Sequence, residues 1–211
     1  DLCADGDFKS TRTSVRNVAN GIISASLRGL SVETTYYYAS FTEVSGVYVF
    51  SSIKSFTTEA IPEGAVELGL SVLWASCNVG AKSPEEYGDY YAWGETSTKS
   101  EYTKENSLTS GKSMSDISGN ITYDVARKEW GSSWRLPTAD EFEELRKKCK
   151  WMWTTQNGVW GYKVTGPNGN SIFLPAAGHR GGSSLYGAGG TGSYWSSRSY
   201  DSSRPYDTDS V

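Results

Sequence analysis

Histidine, cysteine and proline are sparse in the 211 residues: one His, three Cys and six Pro. Cys3, Cys77 and Cys149 are too few for a disulfide-built scaffold and lack the paired spacing of a zinc site. His179, the lone imidazole, leaves a structural zinc short of ligands. A Cys77–Cys149 disulfide and three free thiols both remain open readings. No stretch approaches the ~20 apolar residues of a membrane-spanning helix, and nothing at Asp1 has the pattern of a signal peptide. Charge of one sign is also missing. Twenty basic against 24 acidic residues give a formal net charge of -4, too small to hold the chain unfolded and of the wrong sign for an electrostatic nucleic-acid binder. Leu, Ile, Val and Phe are scarce too, whereas 14 Tyr and 8 Trp bring aromatics to 13%, so any core is aromatic rather than aliphatic.

Residues 1–58 are β-like throughout. Ile22 to Leu27 alternates, Thr34 to Phe41 is tyrosine-rich, and Val47 to Phe56 carries β-branched and aromatic residues. Residues 59–64, Glu-Ala-Ile-Pro-Glu-Gly, read as a linker between two domains. Beyond it, Ala65 to Ala75 favours a strand leading into a turn at Asn78-Val79-Gly80, and residues 96–122 read as a long polar loop. Two helices are predicted. Asp124 caps a short one that ends at Gly131. Thr138-Ala139-Asp140-Glu141 forms a capping box for the other, which is expected to reach about Lys150 with Phe142, Leu145 and Cys149 on its buried stripe. Gly161–Thr165 and Ser171–Pro175 read as a hairpin around Asn168-Gly169, and Ser193-Tyr194-Trp195 as a further strand. Trp74, Trp93, Trp130, Trp134, Leu136, Phe142, Leu145 and Phe173 are the expected core of the second domain, with Arg135 partly buried on a carboxylate or carbonyl.

The run from Leu27-Arg28-Gly29-Leu30 through Thr34-Thr35-Tyr36-Tyr37-Tyr38 to Lys54-Ser55-Phe56-Thr57-Thr58 resembles the last three strands of a fibronectin type III domain, a resemblance that casts Tyr36 as its tyrosine corner. Such sandwiches need about 100 residues, so the early strands are expected to be missing. Leu68-Gly69-Leu70-Ser71-Val72, Trp74-Ala75-Ser76-Cys77-Asn78-Val79-Gly80-Ala81 and Pro84 to Glu95 closely resemble the opening of the Fibrobacter succinogenes major paralogous domain. Trp134-Arg135-Leu136-Pro137-Thr138, Thr154 to Gly158, Leu174 to Gly178 and Tyr194-Trp195-Ser196-Ser197 match it as well. The family is similar to the C-type lectin fold and is abundant in surface and secreted proteins of Bacteroidetes-type bacteria. Its members end with a further strand pair and an Arg-Pro-Val-like terminus that this chain does not contain. The expected fold class is therefore a β-sandwich fragment over residues 1–58, followed by an α+β C-type lectin-like domain over 65–211.

Motifs for chemistry are weak. Gly187-Ala188-Gly189-Gly190-Thr191-Gly192 fits G-x-G-x-x-G but precedes a strand pattern rather than a helix. Gly111-Lys112-Ser113 has Asn106 where a P-loop needs its first glycine. Asn120-Ile121-Thr122 is a glycosylation sequon, meaningful only in a eukaryotic secretory path. No G-x-S-x-G accompanies His179. Glu85, Glu86, Asp89 and Glu95 lack the spacing of a calcium loop and are expected to be solvated structural residues. Formylglycine-generating enzymes have a related fold but use a late pair of cysteines, whereas Cys77 and Cys149 lie early and mid-domain.

The tail differs in composition. Arg180, Tyr186, Tyr194, Trp195, Arg198, Tyr200, Asp201, Arg204, Tyr206 and Asp207 sit among Gly and Ser, the mixture that supplies rigid aromatic contacts and adaptable hydrogen bonds in paratopes. It also resembles the variable segment of diversity-generating retroelement target proteins. These ten residues are the expected ligand-binding set, with Tyr186, Arg198, Tyr200, Arg204 and Tyr206 on one exposed face above Tyr194 and Trp195. The alternative is that Tyr194 and Trp195 belong to the core and the rest to a solvated loop. The expectation is a non-enzymatic, extracellular or cell-surface binding or adhesion module for a protein or glycan, with no cofactor, metal or nucleic-acid partner. Its alternatives are a structural subunit of a surface or virion assembly and a formylglycine-generating-type oxidase.

Overall fold

The computed structural model describes residues 30–131 and 133–198, with the backbones of three short strands at 2–3, 18–19 and 22–23. The chain divides into two compact units, Asp1–Ile61 and Pro62–Val211. Small antiparallel sheets dominate, and the described residues contain two helices. Neither is long and apolar enough to cross a membrane.

In the first unit, β1 (Leu2–Cys3), β4 (Thr35–Tyr38) and β7 (Lys54–Thr57) form one sheet in the order β1-β4-β7. Beside it in sequence, β2 (Val18–Ala19) pairs with β3 (Ile22–Ile23), and β5 (Phe41–Val44) with β6 (Val47–Phe50). Residues 24–27, part of an expected strand, lie outside the described residues. Tyr36 faces Phe56 across β4 and β7, the two rings stacked with centroids 5.9 Å apart. Its hydroxyl accepts the Ser31 backbone N–H at 2.9 Å, which ties the preceding loop to the strand. The run from Val47 to Phe56 supplies two strands, β6 and β7.

In the second unit, the stretch from Ala65 to Ala75 folds back on itself rather than running as one strand. Only β8 (Ala65–Val66) and β9 (Trp74–Ala75) pair, with Ala65 opposite Ala75. Helix α1 (Val125–Trp130) starts at Asp124 and stops at Gly131. Helix α2 (Ala139–Lys148) begins with the reciprocal capping box: the Glu141 N–H donates to Thr138 Oγ1 at 3.2 Å and the Thr138 N–H to Glu141 Oε2 at 2.8 Å. It ends earlier than expected because Lys150 already belongs to β10 (Lys150–Gln156). That strand, β11 (Val159–Thr165) and β12 (Ser171–Pro175) make the largest sheet, in the order β10-β11-β12.

The tight turn of this sheet is Asn157-Gly158. Both residues have positive φ, 49° and 83°, and join Gln156 directly to its partner Val159, the geometry a two-residue hairpin turn requires. Asn168-Gly169 lies in the longer β11–β12 loop, which is lashed to the 67–69 segment: Asn168 Nδ2 and Asn170 Nδ2 each donate to Glu67 O at 2.8 Å. Gly166 permits that approach, since a Cβ there would sit 2.0 Å from Leu68 O. Beyond the sheet, β13 (His179–Gly181) and β14 (Ser184–Tyr186) form a small hairpin inside the glycine-rich tract. Ser193-Tyr194-Trp195 is not a strand; isolated bridges tie Gly182 of the tract to Tyr102 and Gly178 to Gly192.

Leu68, Leu145, Val164 and Ile172 form the tightest part of the core, at 4% exposure or less, with Trp74, Phe142, Cys149, Trp151 and Tyr162 packed around them. Of the eight expected core residues only Trp93, Leu145 and Phe173 are fully buried; the other five are half-buried, because aromatic rings here wall a cavity instead of filling it. Arg135 has its carboxylate, a two-armed contact with Glu141 at 2.5 and 2.8 Å, and its side chain is partly covered, with 38% of its surface left exposed. Cys77 and Cys149 are both free thiols.

Asp124 is fully buried and joins three segments. Its Oδ1 accepts the Arg127 N–H at 3.0 Å, and its Oδ2 accepts the N–H groups of Gly119 at 2.7 Å and Leu136 at 2.8 Å. Replacing it with Ala leaves three backbone donors without their charged acceptor. Asp124→Ala is expected to cost about 3 kcal/mol and Asp124→Asn less, as read by urea denaturation.

The Arg135 guanidinium, aided by the Thr138 N–H, holds the Glu141 carboxyl below its ordinary range. With the folded-state pKa depressed, this stabilisation is complete above the ordinary carboxylate pKa and is lost as pH falls through the lowered value. Glu141→Gln should therefore cost about 1.5 kcal/mol at neutral pH. The gap to the unsubstituted protein should close in acid, as followed by urea melts across pH.

Candidate functional site

A cavity of about 510 Å³ runs through the second unit. That lies within the roughly 300–1,000 Å³ of small-ligand pockets. One wall comes from the Tyr90-Tyr91-Ala92-Trp93 run, a second from Trp130 at the end of α1 and Trp134 beyond it, and a third from His179, Arg180, Tyr194 and Trp195 of the tail. These side chains are posted by hydrogen bonds to backbone carbonyls. The Trp93 indole N–H donates to Ser196 O at 3.0 Å, the Trp195 indole to Tyr91 O at 2.8 Å, the Tyr90 hydroxyl to Ala177 O at 2.6 Å and the Tyr194 hydroxyl to Pro175 O at 2.7 Å. The 90–93 run and the 194–196 run thus lace each other together, and each aromatic ring keeps one face for packing while its polar tip is satisfied.

Among the described residues, the indole N–H of Trp74 is different: it is buried on the cavity wall with no acceptor. Burial pushes the phenols of Tyr90 and Tyr194 up, and desolvation with the nearby Asp89 raises Tyr91 to about 12. All three are neutral hydroxyls near neutral pH. Trp130 and Trp134 meet edge to face at 5.1 Å.

The ten expected ligand residues do not act as one set. Arg180, Tyr194 and Trp195 line the cavity, and Arg180 lies with its guanidinium carbon 5.2 Å from the centre of the Tyr90 ring, a cation–π contact. Tyr186 is 52% exposed on the neighbouring hairpin and stacks on His179 at 5.7 Å. Tyr194 and Trp195 are half-buried, with their polar tips committed to carbonyls, which gives them a supporting role. Arg198 is exposed but turned to a different element, pairing with Asp116 at 3.5 Å. Tyr200, Asp201, Arg204, Tyr206 and Asp207 lie outside the described residues.

The acidic group also divides. Glu86 Oε2 accepts the Lys82 N–H at 2.7 Å, and Glu85 Oε1 accepts Asn157 Nδ2 at 2.7 Å. Glu95, expected to be solvated, is instead buried at 4% exposure, paired with Lys99 at 2.6 Å and accepting the Leu108 N–H at 2.8 Å. It anchors the 96–122 loop, whose Thr109 and Ile117 are buried as well. Among the described residues no group of three or more His, Cys, Asp and Glu side chains is placed to hold a metal ion. The Cys77 thiol donates to Ala81 O at 3.5 Å, not to a base.

Sequence reasoning overlooked His179 and Tyr90 as wall residues. It also overlooked Trp153 and Trp160, which stand exposed on the β10–β11 hairpin. The signal for that pair was present in the alternation of Trp151, Trp153, Trp160 and Tyr162 about Asn157-Gly158.

Because the folded-state pKa of Tyr91 is raised, its contribution to stability is full below the ordinary phenol pKa and is lost as pH rises through about 12. Tyr91→Phe should accordingly soften the alkaline loss of stability between pH 10 and 12, as measured by chemical denaturation, and remove one high-pH step from the phenolate absorbance titration. In comparisons with protein-family models, curated proteins and solved structures, nothing matches the chain.

Proposed function

We propose that the chain is a non-enzymatic, extracellular ligand-binding or adhesion module of a bacterial surface or secreted protein. In this reading the second unit is a C-type lectin-like head of the kind the major paralogous domain resembles, and the first unit is the C-terminal part of a fibronectin type III-like spacer. The Tyr36 hydroxyl on the Ser31 N–H, a loop locked by a strand tyrosine, supports the fibronectin-like half. The Trp134 to Thr138 run leading into a capped α2, and the Trp195 and Trp93 bonds between early and late segments, support the lectin-like half.

The observation that carries the binding reading is the aromatic cavity itself. Its walls offer ring faces, the Arg180 cation and the unpaired Trp74 N–H, which suit a ligand with an apolar body and hydrogen-bond acceptors. The side chains that could do chemistry there are otherwise engaged: Cys77 bonds a carbonyl and His179 stacks on Tyr186.

A screen of glycans and proteins against the full chain, read by tryptophan fluorescence and calorimetry, tests this. A ligand is expected whose affinity falls about tenfold or more in Arg180→Ala or Tyr90→Ala, in keeping with an Arg or Tyr anchor that the ligand covers. A copper-dependent thiol oxidation abolished by Cys77→Ser would replace the binding reading with an enzymatic one. Assembly into large, ligand-independent oligomers on a sizing column would replace it with a structural one.

A further inference from the structure

The β10–β11 hairpin carries a second aromatic feature, away from the cavity. In the antiparallel register Trp151 faces Val164, Trp153 faces Tyr162 and Thr155 faces Trp160, so these six side chains share one side of the sheet. At the Val164 end this side is closed core, at 0% exposure. From there an unbroken chain of rings leads outward: Trp151 meets Tyr162 edge to face at 5.5 Å, Tyr162 meets Trp153 likewise at 5.0 Å, and Trp153 stacks on Trp160 at 5.8 Å with planes 11° apart. The last two rings are 39% and 47% exposed. Packing against the core therefore holds two nearly parallel indoles at the surface, where burying them elsewhere in the domain would have been favourable.

The occupant follows from area, charge and polar neighbours. A Trp side chain offers about 250 Å² at most, so the two exposed portions come to roughly 200 Å². A stable protein partner or second copy needs about 800 Å² per side. Two rings match instead one or two flat, ring-sized ligand units. Stacked nucleobases have that size, but they bring a phosphate backbone to a chain of net charge -4 and to a hairpin tip whose Asn157 and Gln156 amides rest on the Glu85 carboxylate at 2.7 and 3.4 Å. A neutral sugar ring meets all three conditions. It presents a flat C–H face to an indole, and its hydroxyls find a donor and an acceptor in the exposed Thr155 hydroxyl, on the same side of the sheet directly across from Trp160.

We propose that Trp153 and Trp160 form a stacking platform for pyranose rings of a neutral polysaccharide. The platform is separate from the cavity, so loss of a cavity ligand through Tyr90→Ala leaves it intact and the two readings fail independently.

Affinity electrophoresis of the full chain in native gels containing soluble neutral β-glucan, α-glucan, xylan or mannan tests the platform. At least one polysaccharide is expected to retard the protein. Trp160→Ala and Trp153→Ala should each weaken that retardation at least tenfold, Trp160→Phe should retain most of it, and Tyr90→Ala should leave it unchanged. Near-ultraviolet circular dichroism reports whether each variant keeps its packed aromatic environment. If Trp153→Ala disturbs it, Trp160→Ala and Trp160→Phe decide, since Trp160 is the outermost ring. Retardation by no polysaccharide, or retardation indifferent to Trp160, overturns the proposal. So does single-stranded nucleic acid binding, or self-association in sedimentation, that depends on Trp160 while polysaccharide binding does not.

Discussion

Asp124 sits at 0% exposure with both carboxylate oxygens engaged by backbone N–H groups from three separate stretches: the end of the 96–122 loop, the first turn of α1, and the Trp134–Thr138 run. A buried carboxylate is costly unless its lone pairs are satisfied, and here they are satisfied by backbone N–H groups from those three stretches together. The segments C-terminal to α1 are placed by that junction. Leu136 is held by Asp124, the Pro137 carbonyl accepts the Ser197 N–H at 2.8 Å, and Thr138 opens α2. Ser197 in turn gives its carbonyl to the Ile117 N–H at 3.0 Å. The tail and the long loop are thus fastened to the same short run.

The scarcity of aliphatic side chains shapes what forms around this junction. Four aliphatic residues, Leu68, Leu145, Val164 and Ile172, close one compact region where α2 meets the large sheet. Around the cavity much of the apolar material is Trp and Tyr, whose N–H and O–H groups must reach partners when buried. Trp93, Trp195, Tyr90 and Tyr194 reach carbonyls on neighbouring segments. The cavity lies between these segments, and among the described residues the buried Trp74 N–H on its wall finds no acceptor.

The same chemistry is used in the open on the β10–β11 hairpin. A two-residue turn at Asn157-Gly158 sets the register, and the register puts four aromatic rings on one side of the sheet. Their contacts run from the core to the surface without a gap, so the exposed pair borrows its rigidity from the buried one. Cavity and platform differ in kind. One is lined by rings tied down at their polar tips, the other by rings held through their faces.

Local chemistry was legible without the fold. Asp124 and Thr138 announce their helices because a side-chain oxygen next to free N–H groups needs nothing from the rest of the chain, and both helices start where those residues stand. Gly161–Thr165 and Ser171–Pro175 likewise pair as their alternation implies. What the sequence left open depended on distance. Whether Glu95 is solvated or buried turns on where Lys99 and Leu108 lie. Whether Ser193 to Trp195 is a strand turns on whether a partner strand is within reach, and Tyr194 and Trp195 spend their polar groups on Pro175 and Tyr91 instead. Composition marked the tail as a binding surface, but the tertiary structure separates Arg180, above Tyr90, from Arg198, beside Asp116. The amino-acid sequence by itself determined the caps, turns and strand alternation, which are interactions between near neighbours. Only the tertiary structure decided which aromatic rings would be buried, which would wall a cavity and which would face solvent, because that choice rests on partners far away along the chain, as Trp93 on Ser196 and Trp195 on Tyr91 show.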